Sequence, residues 1–450
     1  MISKVLIANR GEIAARVIRS CKKMGVQTVA VYSEADTNAP FVSMADESYL
    51  LGPARVNESY LNVDKIFSIA KDAGVDAIHP GYGFLSESGR FAEKCEAAGI
   101  IFIGPTSKVM DRMGSKIEAR KAMKLAGVPI VAGTEEAVPS AEEAVEIARH
   151  IGYPIMLKAS AGGGGIGMQV VNSDEELLKA FQNNATRAET FFGDGSMFLE
   201  KKIDDARHIE IQLLADSHGN VVHLFERECS IQRRNQKVIE EAPSPFISEK
   251  TRTKMGKAAI DAALALGYTN AGTIEFLVDK SETFYFLEMN TRIQVEHPVT
   301  EEITGIDIVE EQINIANGKV LSFKQEDLTI NGHAIEARIY AEDPKTFFPS
   351  PGHITTFEVP SGENIRLESA VTSNYQVTPF YDPMISKLIV KGTTREKTIE
   401  LLKETLTNIK VEGIKTNVPL LLEIANHPEF NSGNTTTKFI EEHFSKVKKK

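Results

Sequence analysis

The sequence has few of the features that mark secreted or membrane-embedded proteins. Its 450 residues include only three cysteines, Cys21, Cys95 and Cys229, which are far apart and never in a CxxC spacing. An odd, scattered set of this kind predicts neither a disulfide framework nor a zinc site. No apolar run approaches the roughly 18 residues of a membrane span. Because Arg10 and Glu12 interrupt the first apolar stretch too early for a signal peptide, we expect a cytoplasmic protein.

An excess of positive charge is also missing. Lys and Arg number 51 against 62 Asp and Glu, which gives a formal net charge of −11. Binding to nucleic acid requires a basic surface, so the balance argues against a nucleic-acid partner. An anionic substrate would need cations that are concentrated locally. The lysines of 446–450 are the clearest one-signed run, and we expect them to form a solvated, frayed chain end.

The first hundred residues predict a parallel sheet with helices on its faces. Apolar, β-branched runs alternate with helical patterns. We predict strands at 5–8, 28–32, 77–78 and 100–103, and helices at 12–24, 63–73 and 91–98. The first turn, residues 8–12, lacks the GxGxxG fingerprint, so the unit is expected to be Rossmann-like without a dinucleotide.

Later residues suggest two further units, as expected for a chain of this length. We predict helices at 115–125, 141–151 and 174–187, and strands at 155–158, 168–171 and 197–200. Residues from 204 onward are strand-rich. The predicted division is an N-terminal domain (1–114), a helical linker (115–130), a lid of about 70 residues (131–203) and a large C-terminal unit (204–450).

A glycine loop, AGGGGIG at 161–167, lies between two predicted strands. It matches GxGxxG formally, but a dinucleotide turn must open a helix. Strand, glycine loop and strand form the arrangement of a flap over nucleotide phosphates, to which Lys158 would add a charge. A flexible turn without a ligand is the alternative. No GxxxxGK[ST] motif occurs, which excludes a P-loop NTPase.

Polar and apolar residues alternate from Glu288 to Glu296. In an extended chain, Glu288, Asn290, Arg292, Gln294 and Glu296 would line one face. An amphipathic strand with a solvated face is the alternative, but carboxylates, amides and an arginine suit metal and oxyanion binding. Glu288 and Asn290 supply hard oxygens for Mg²⁺, and Glu275 is the best second carboxylate.

Residues 226–241 hold the densest mixed charge outside the chain ends, with four basic residues within eleven positions. They supply local cations, or they form a solvated loop rich in salt bridges. His208 lies in another alternating stretch, where a lone histidine is more often structural than functional. Residues 122–125, AMKL, are similar to the site of biotin carriers but lie in a predicted helix, so we do not expect biotinylation there.

Several motifs together resemble one known family. They are IANRGEIA at 7–14, HPGYGFLSE at 79–87, the glycine loop, QRR at 232–234 and EMNTRIQVEHP at 288–298. The chain resembles the biotin carboxylase subunit of acetyl-CoA carboxylase, in the ATP-grasp superfamily. The resemblance implies a mixed α/β and α+β ATP-grasp fold. It would comprise a Rossmann-like parallel-sheet domain, a small mobile glycine-loop lid and a large C-terminal mixed domain.

The resemblance also implies site residues. The nucleotide would contact Lys116, Lys158, Gly164, Gly165, Glu200, Lys201, Ile203, His208, Gln232 and Asn235. Two Mg²⁺ or Mn²⁺ ions would be held by Glu275, Glu288 and Asn290. Bicarbonate would be surrounded by Lys237, Arg292, Gln294, Val295 and Glu296, and Arg338 would face the ureido oxygen of biotin.

The implied reaction is the carboxylation of biotin on a separate carrier protein, with ATP and bicarbonate, through carboxyphosphate. Glu296 would be the general base, and Arg292 and Arg338 would stabilise the biotin enolate. This is the first half-reaction of acetyl-CoA carboxylase in fatty acid synthesis. The expected partners are a biotin carboxyl carrier protein and carboxyltransferase subunits on other chains, and the resemblance suggests a homodimer.

Two residues depart from the family pattern. Asn235 stands where the family commonly has His, and Ile166 stands where it has a basic residue in the glycine loop. Both changes remove a potential cation and would alter nucleotide affinity or lid closure.

Four alternatives remain open from the sequence. The chain would serve another biotin-dependent enzyme, such as a propionyl-CoA or urea-type carboxylase, or it would be a carboxylate-amine ligase of the same superfamily. A nicotinamide-dependent oxidoreductase would use the N-terminal unit, but its fingerprint is missing. A catalytically silent binding subunit would not need the complete metal set.

Overall fold

The N-terminal part of the chain forms a five-stranded parallel sheet with strand order β3-β2-β1-β4-β5. The computed structural model describes residues 1–160 and 167–444. The elements of this part are β1 (Lys4–Ile7), α1 (Gly11–Lys23), β2 (Gln27–Ser33), α2 (Pro40–Met44), β3 (Glu47–Gly52), α3 (Val63–Asp72), β4 (Ala77–His79), α4 (Gly89–Ala97), β5 (Ile101–Phe102) and α5 (Ser107–Gly114). The central strand β1 is almost wholly buried, as its continuous apolar run predicts.

A small unit with a three-stranded antiparallel sheet follows, with strand order β7-β6-β8. Its elements and the helix before it are α6 (Lys116–Leu125), α7 (Ala141–Ile151), β6 (Ile155–Ala159), β7 (Met168–Val171), α8 (Asp174–Phe192) and β8 (Met197–Lys201). The side chains of Ser140 and Ser173 cap the first turns of α7 and α8.

The remaining residues are organised around an eight-stranded antiparallel sheet, with order β13-β12-β9-β10-β11-β14-β19-β17. The elements up to residue 340 are β9 (Arg207–Ala215), β10 (Val221–Arg233), β11 (Gln236–Ala242), α9 (Glu249–Leu266), β12 (Asn270–Val278), β13 (Phe284–Asn290), α10 (His297–Thr304), α11 (Ile308–Ala316) and β14 (His333–Tyr340). The later ones are β15 (Gly352–Ile354), β16 (Thr356–Glu358), β17 (Ile365–Ser369), β18 (Tyr375–Val377), β19 (Met384–Gly392), α12 (Arg395–Asn408), β20 (Lys410–Glu412), α13 (Val418–Asn426), α14 (Pro428–Asn431) and α15 (Phe439–Phe444).

The N-terminal sheet and the large sheet share a core. Ile13 and Val17 of α1 belong to the same buried apolar cluster as Ile335 and Ile339 of β14. A buried ion pair adds to this contact, because Arg16 donates to Glu301 at 2.7 Å. The shared core fixes the position of the N-terminal domain beside the site described below.

The structure confirms the predicted mixed fold with its parallel N-terminal sheet. The predicted helix at 141–151 and strand at 168–171 have the predicted bounds. The edge strand β3 was missed, because residues 47–50 alternate between half-buried and exposed positions and only Leu51 is buried, which leaves little apolar signal. The division of the chain at 114, 130 and 203, and the mobility of the lid, stay predictions.

One prediction about the 288–296 segment is wrong. Strand β13 ends at Asn290, and Glu296 is the residue that precedes α10, so the chain is not extended beyond Asn290. Gly164, Gly165, Ile166 and the lysines of 446–450 lie outside the described residues. Among the described helices, none is long and apolar enough to cross a bilayer.

Candidate functional site

Three carboxylates lie in one row across neighbouring strands of the large sheet. Glu288 on β13 pairs with Glu275 on β12, and Glu275 pairs with Glu210 on β9. Directly opposed residues on antiparallel strands present their side chains on the same face, a few ångströms apart. Like charges at this spacing repel, so the row requires cations beside it.

Lys237 of β11 supplies one of these cations. Its ammonium donates to Glu210 at 2.6 Å, to Glu275 at 2.9 Å and to Glu296 at 2.5 Å. Each of the three ammonium protons therefore has a carboxylate acceptor. Burial alone would raise the pKa of Glu296, but the neighbouring Lys237 outweighs it and holds that pKa below its usual range. Glu296 is accordingly ionised at neutral pH.

Arg227 supplies the second cation, from a fully buried position on β10. Its guanidinium donates to Glu210 at 2.6 Å and to Gln294 Oε1 at 2.6 Å. It also donates to Gln212 at 2.7 Å and Thr300 at 3.0 Å. Gln294 in turn donates to Glu275 at 2.7 Å, so Arg227 fixes which end of the Gln294 amide faces the carboxylates.

Arg338 of β14 is a further cation that contacts Glu296. It donates to Glu240 at 2.6 Å through Nε and to Glu296 at 2.9 Å through Nη2. Glu296 thus lies between an ammonium and a guanidinium. The arrangement leaves a fixed carboxylate beside a planar cation, which suits proton abstraction next to a developing oxyanion.

Arg292 lies beyond the end of β13. Its Nη2 donates to Asn290 Oδ1 at 2.8 Å, and its Nε lies 3.1 Å from a carboxylate oxygen of Glu87. Glu87 comes from the N-terminal domain, so this ion pair joins two parts of the chain across the site. The turn after Asn290 brings Arg292, Gln294 and Glu296 to the same cavity without an extended chain.

Two lysines and a carboxylate form the opposite end of the site. Lys158 of β6 and Arg120 of α6 both pair with Glu200 of β8. Lys116, at the start of α6, donates weakly to a carbonyl of β6 at 3.5 Å. Burial lowers the pKa of Lys116, and the neighbouring charge of Lys158 lowers it further. A bound anion would relieve that repulsion.

His208 lies at the junction of the two ends, with its Nε2 3.0 Å from Glu275. Burial disfavours the protonated ring, but the charge of Glu275 outweighs it and raises the pKa of His208 to about 9. Asn235 lies in the two-residue turn between β10 and β11, where both it and Arg234 have positive φ values of 64° and 51°. Asparagine tolerates this conformation well, which gives its presence there a structural reason.

A cavity of about 950 Å³ joins these groups. Its walls include most of the residues predicted from the sequence: Lys116, Lys158, Glu200, His208, Gln232, Asn235, Lys237, Glu275, Glu288, Asn290, Arg292, Gln294, Val295, Glu296 and Arg338. Lys201 and Ile203 are not among the lining residues. The Lys201 ammonium instead donates to the carbonyl of Gly152 at 2.7 Å, at the end of α7.

Glu275, Glu288 and Asn290 have the chemistry to hold Mg²⁺. Magnesium prefers hard oxygen ligands from one or two carboxylates together with substrate phosphates. Among the described residues the Glu288 carboxylate has no ion-pair or hydrogen-bond partner, and it opens into the cavity. Enclosure by the cavity walls raises its pKa, and the opposing Glu275 charge raises it further. A divalent cation would remove that penalty, so the donor set fits the ion.

Several residues of this site were missed by the sequence reasoning, namely Glu87, Arg120, Glu210, Arg227 and Glu240. Glu87 ends the motif at 79–87, and Glu210 lies in the alternating stretch with His208, so both were within segments already singled out. Arg227 and Glu240 also lie in a segment already singled out, residues 226–241, but their individual roles gave no signal, because their partners come from other strands.

Three family descriptions match the chain in succession. Residues 1–110 match "Biotin carboxylase, N-terminal domain", residues 115–324 match "Carbamoyl-phosphate synthase L chain, ATP binding domain", and residues 336–442 match "Biotin carboxylase C-terminal domain". Together they span nearly the whole chain.

Individual proteins with similar sequences point to the same family. The chain is 62% identical to biotin carboxylase 2 of Bacillus subtilis, over 98% of this chain and 100% of that protein. It is 60% identical to a biotin carboxylase of Halalkalibacterium halodurans, over 100% and 99% of the two chains. Relatives with other names also match, including the 2-oxoglutarate carboxylase small subunit of Hydrogenobacter thermophilus, with 50% identity over 98% and 94% of the two chains.

Two solved structures share the fold over nearly their full length. A biotin carboxylase–β-γ-ATP complex from Campylobacter jejuni matches with a TM-score of 0.97 and 49% identity, over 98% and 99% of the chains. A biotin carboxylase domain dimer of Hydrogenobacter thermophilus 2-oxoglutarate carboxylase, in complex with MgADP, ADP and bicarbonate, matches with a TM-score of 0.95 and 50% identity, over 98% of each chain. The chain therefore belongs to the biotin carboxylase family of the ATP-grasp superfamily, ATP-dependent carboxylases of the ligase class.

Proposed function

We propose that the chain carboxylates biotin on a separate carrier protein, using ATP and bicarbonate and passing through carboxyphosphate. The observation that carries the proposal is the position of Glu296 between Lys237 and Arg338, at 2.5 Å and 2.9 Å. An ionised carboxylate held by two cations provides a base, an anion site and an oxyanion stabiliser within one small volume.

The nucleotide is proposed to lie at the end lined by Lys116, Lys158 and Glu200. The two lysines would neutralise phosphate charge, and the solved relatives in complex with β-γ-ATP and with MgADP support a nucleotide here. His208, Gln232 and Asn235 are proposed as further contacts, together with Lys201 and Ile203 through the backbone and with Gly164 and Gly165 in the glycine loop.

Glu275, Glu288 and Asn290 are proposed to hold two Mg²⁺ or Mn²⁺ ions, which would offset charge on the transferring phosphoryl group.

Bicarbonate is proposed to bind between Lys237, Arg292, Gln294 and the backbone of Val295. Glu296 would take its proton as the bicarbonate oxygen attacks the γ-phosphorus, with ADP leaving. The lowered pKa of Glu296 means that it is already unprotonated before the reaction. Lys387 donates to the Val295 carbonyl at 2.6 Å, which fixes this part of the wall.

Biotin is proposed to present its ureido oxygen to Arg338. Carboxyphosphate would release CO₂ and phosphate beside the ring, and the phosphate would take the ureido proton. Arg292 and Arg338 would then stabilise the enolate whose nitrogen attacks CO₂, a role that a planar guanidinium suits. The enclosing walls and the lid would keep water from the unstable intermediate.

The assembly that the chain serves is a further proposal. We favour acetyl-CoA carboxylase and fatty acid synthesis, with the carrier and carboxyltransferase on other chains, in the cytoplasm, and with a homodimeric carboxylase as in the dimer of the Hydrogenobacter relative. Relatives named for pyruvate and 2-oxoglutarate carboxylases are about as similar as some biotin carboxylases. A carboxylation assay with purified carriers from each type of enzyme would decide, and the cognate carrier should give the highest kcat/KM.

The test of the activity itself is bicarbonate-dependent release of ADP that free biotin stimulates. ADP release that ignores both compounds would contradict the proposal. A carboxylate-amine ligase would instead respond to a panel of carboxylates and amines, and the site from Arg292 to Glu296 gives no reason to expect that. Family membership removes the nicotinamide-dependent oxidoreductase from consideration.

A further inference from the structure

Glu336 is a buried carboxyl group without a hydrogen-bond partner. It lies on β14 with no exposed surface, and among the described residues neither of its oxygens accepts or donates a hydrogen bond. A buried carboxylate normally has several donors, because the ionised form is poorly tolerated without them. Burial without a donor therefore disfavours the ionised form of Glu336.

Another carboxyl group lies directly across from it. Glu240 of β11 is the register partner of Glu336, so both side chains are on one face of the sheet and close together. Glu240 has no exposed surface either, and only its Oε1 is occupied, by Arg338. Two buried carboxylates at this distance cannot both be ionised without a large penalty.

The nearby cations are engaged elsewhere. Arg338, two residues along β14, donates to Glu240 and Glu296, and Lys387 of β19 donates to the Val295 carbonyl at 2.6 Å and lies 3.2 Å from Glu12. His297 of α10 is buried and uncharged, since burial and the charge of Lys387 hold its pKa well below the usual range.

The other charges beside β14 pair with one another: Glu241 accepts from Arg395 at 2.7 Å and lies 2.7 Å from His333. Helices α12 and α13 reach the strand through Thr398, which donates to the His333 carbonyl, and Asn417, which donates to the Arg338 carbonyl. Tyr82 hydrogen bonds to Glu12 and is itself neutral, because burial raises its pKa well above the usual range. Burial likewise raises the pKa of Glu336 well above the usual range, and Glu240 raises it further against the opposing effects of Lys387 and Arg338.

We infer that Glu336 is a positioning residue for Arg338: it stays a neutral carboxylic acid beside Glu240, so that it adds no negative charge to Glu240 and Glu296, the two carboxyl groups that hold the guanidinium. An ionised Glu336 would place a further negative charge beside the group that must stabilise the anion of biotin. The inference rests on the proposed role of Arg338 toward biotin.

The protonation state can be measured without turnover. Infrared spectra of the full-length protein near pH 8 should show the carbonyl band of a buried protonated carboxyl, and Glu336→Gln should remove it. Glu228→Gln is the matched control, because Glu228 is also buried but its oxygens accept from Ser230 and Ser244, outside the cavity. In Glu240→Gln the band should disappear at lower pH, since loss of the neighbouring carboxylate eases ionisation of Glu336. A band unchanged by Glu336→Gln would overturn the inference.

The role toward Arg338 has its own readout. We expect Glu336→Gln to keep kcat/KM for biotin within about twofold at neutral pH and to move the alkaline decline of kcat/KM upward by about one pH unit or more. If Glu336 were merely structural, the decline would stay at the same pH in Glu336→Gln, and that result would overturn the positioning role. A tenfold loss of kcat/KM at neutral pH in this variant would overturn it as well. If the unchanged protein does not carboxylate biotin, the proposed function fails, while the infrared band still decides the state of Glu336.

Discussion

The ammonium of Lys237 and the carboxylate of Glu296 lie 2.5 Å apart, and the same ammonium holds Glu210 and Glu275. One side chain thus joins the proposed base to the proposed metal ligand. Substitution of Lys237 leaves three buried carboxylates short of their shared cation, and breaking a buried ion pair costs about 3–5 kcal/mol.

We therefore expect Lys237→Gln to lower bicarbonate-dependent ADP release by roughly 100-fold or more and to reduce thermal stability. The matched control is Lys257→Gln, on the exposed face of α9, whose ion pair with Asp261 lies in solvent. That control should behave like the unchanged protein. Full activity in Lys237→Gln would contradict the central place given to this lysine.

The pair with Glu296 also predicts how two substitutions combine. If Lys237 and Glu296 act as a unit, Glu296→Gln should lower ADP release by a similar factor, and the double variant should be little worse than either single one. A double-mutant cycle on bicarbonate-dependent ADP release measures this. Strictly additive losses would show that the two residues act independently.

Substitution of Arg338 should slow biotin carboxylation much more than it slows ADP release without biotin. Arg338→Ala removes a donor to Glu296 and the proposed partner of biotin, so biotin carboxylation should fall by about 100-fold or more. Bicarbonate-dependent ADP release without biotin should fall much less, because the base, metal ligands and lysines remain. Comparison of the two rates in one preparation is the measurement, and equal losses in both would place Arg338 in the first step instead.

The metal ligands can be tested by the Mg²⁺ dependence of the reaction. Glu288→Gln removes a carboxylate that has no other partner among the described residues, so the Mg²⁺ concentration for half-maximal ADP release should rise by about tenfold or more. Glu423→Gln, on an exposed position of α13, is the control. An unchanged Mg²⁺ requirement in Glu288→Gln would remove this residue from the ligand set.

Glu228 predicts a pH-dependent effect on stability. Burial raises its pKa to about 7, against the opposing hydrogen bonds from Ser230 and Ser244. The folded protein therefore binds this proton more tightly than the unfolded chain, and the stabilisation, about 3 kcal/mol at most, is lost as pH rises from about 4.5 through 7.

Melting temperatures of Glu228→Gln and of the unchanged protein, taken between pH 5 and pH 8, check this. The variant cannot ionise, so its stability relative to the unchanged protein should improve steadily over that range. A difference that stays constant with pH would show that Glu228 does not titrate there.

Local patterns predicted much of the framework. The helix at 141–151 and the strand at 168–171 follow from apolar periodicity and from signals such as the Ser140 cap. The parallel N-terminal sheet follows from the alternation of strands and helices. Strand β3 was not predicted, because an edge strand of this kind buries too few side chains to leave a clear apolar pattern in the sequence.

The 288–296 segment shows why a pattern can predict a site and still mispredict its conformation. Glu288 and Asn290 share a strand face as the alternation predicts, but the same alternation continues through the turn that carries Arg292 and Gln294. Side chains converge there because the chain bends around the end of β13. Alternation has the same appearance in both cases, so only tertiary contacts distinguish them.

The supporting charges were the least predictable part of the site. Arg227 contributes to the site through the hydrogen bonds that it donates to residues of other elements, namely Glu210, Gln212, Gln294 and Thr300. Nothing in the residues beside Arg227 indicates that it is fully buried. Asn235, in contrast, is explained locally by the positive φ values of its two-residue turn.

The central claim is that the chain transfers carbon from bicarbonate to biotin at the expense of ATP. Incubation of the purified protein with labelled bicarbonate, MgATP and biotin tests it directly. We predict that label appears on the ureido ring, with one ADP released for each carboxylated biotin, and that Arg338→Ala and Glu296→Gln each reduce the labelling by about 100-fold or more. ADP release without any label on biotin, unchanged when bicarbonate is withheld, would contradict the account.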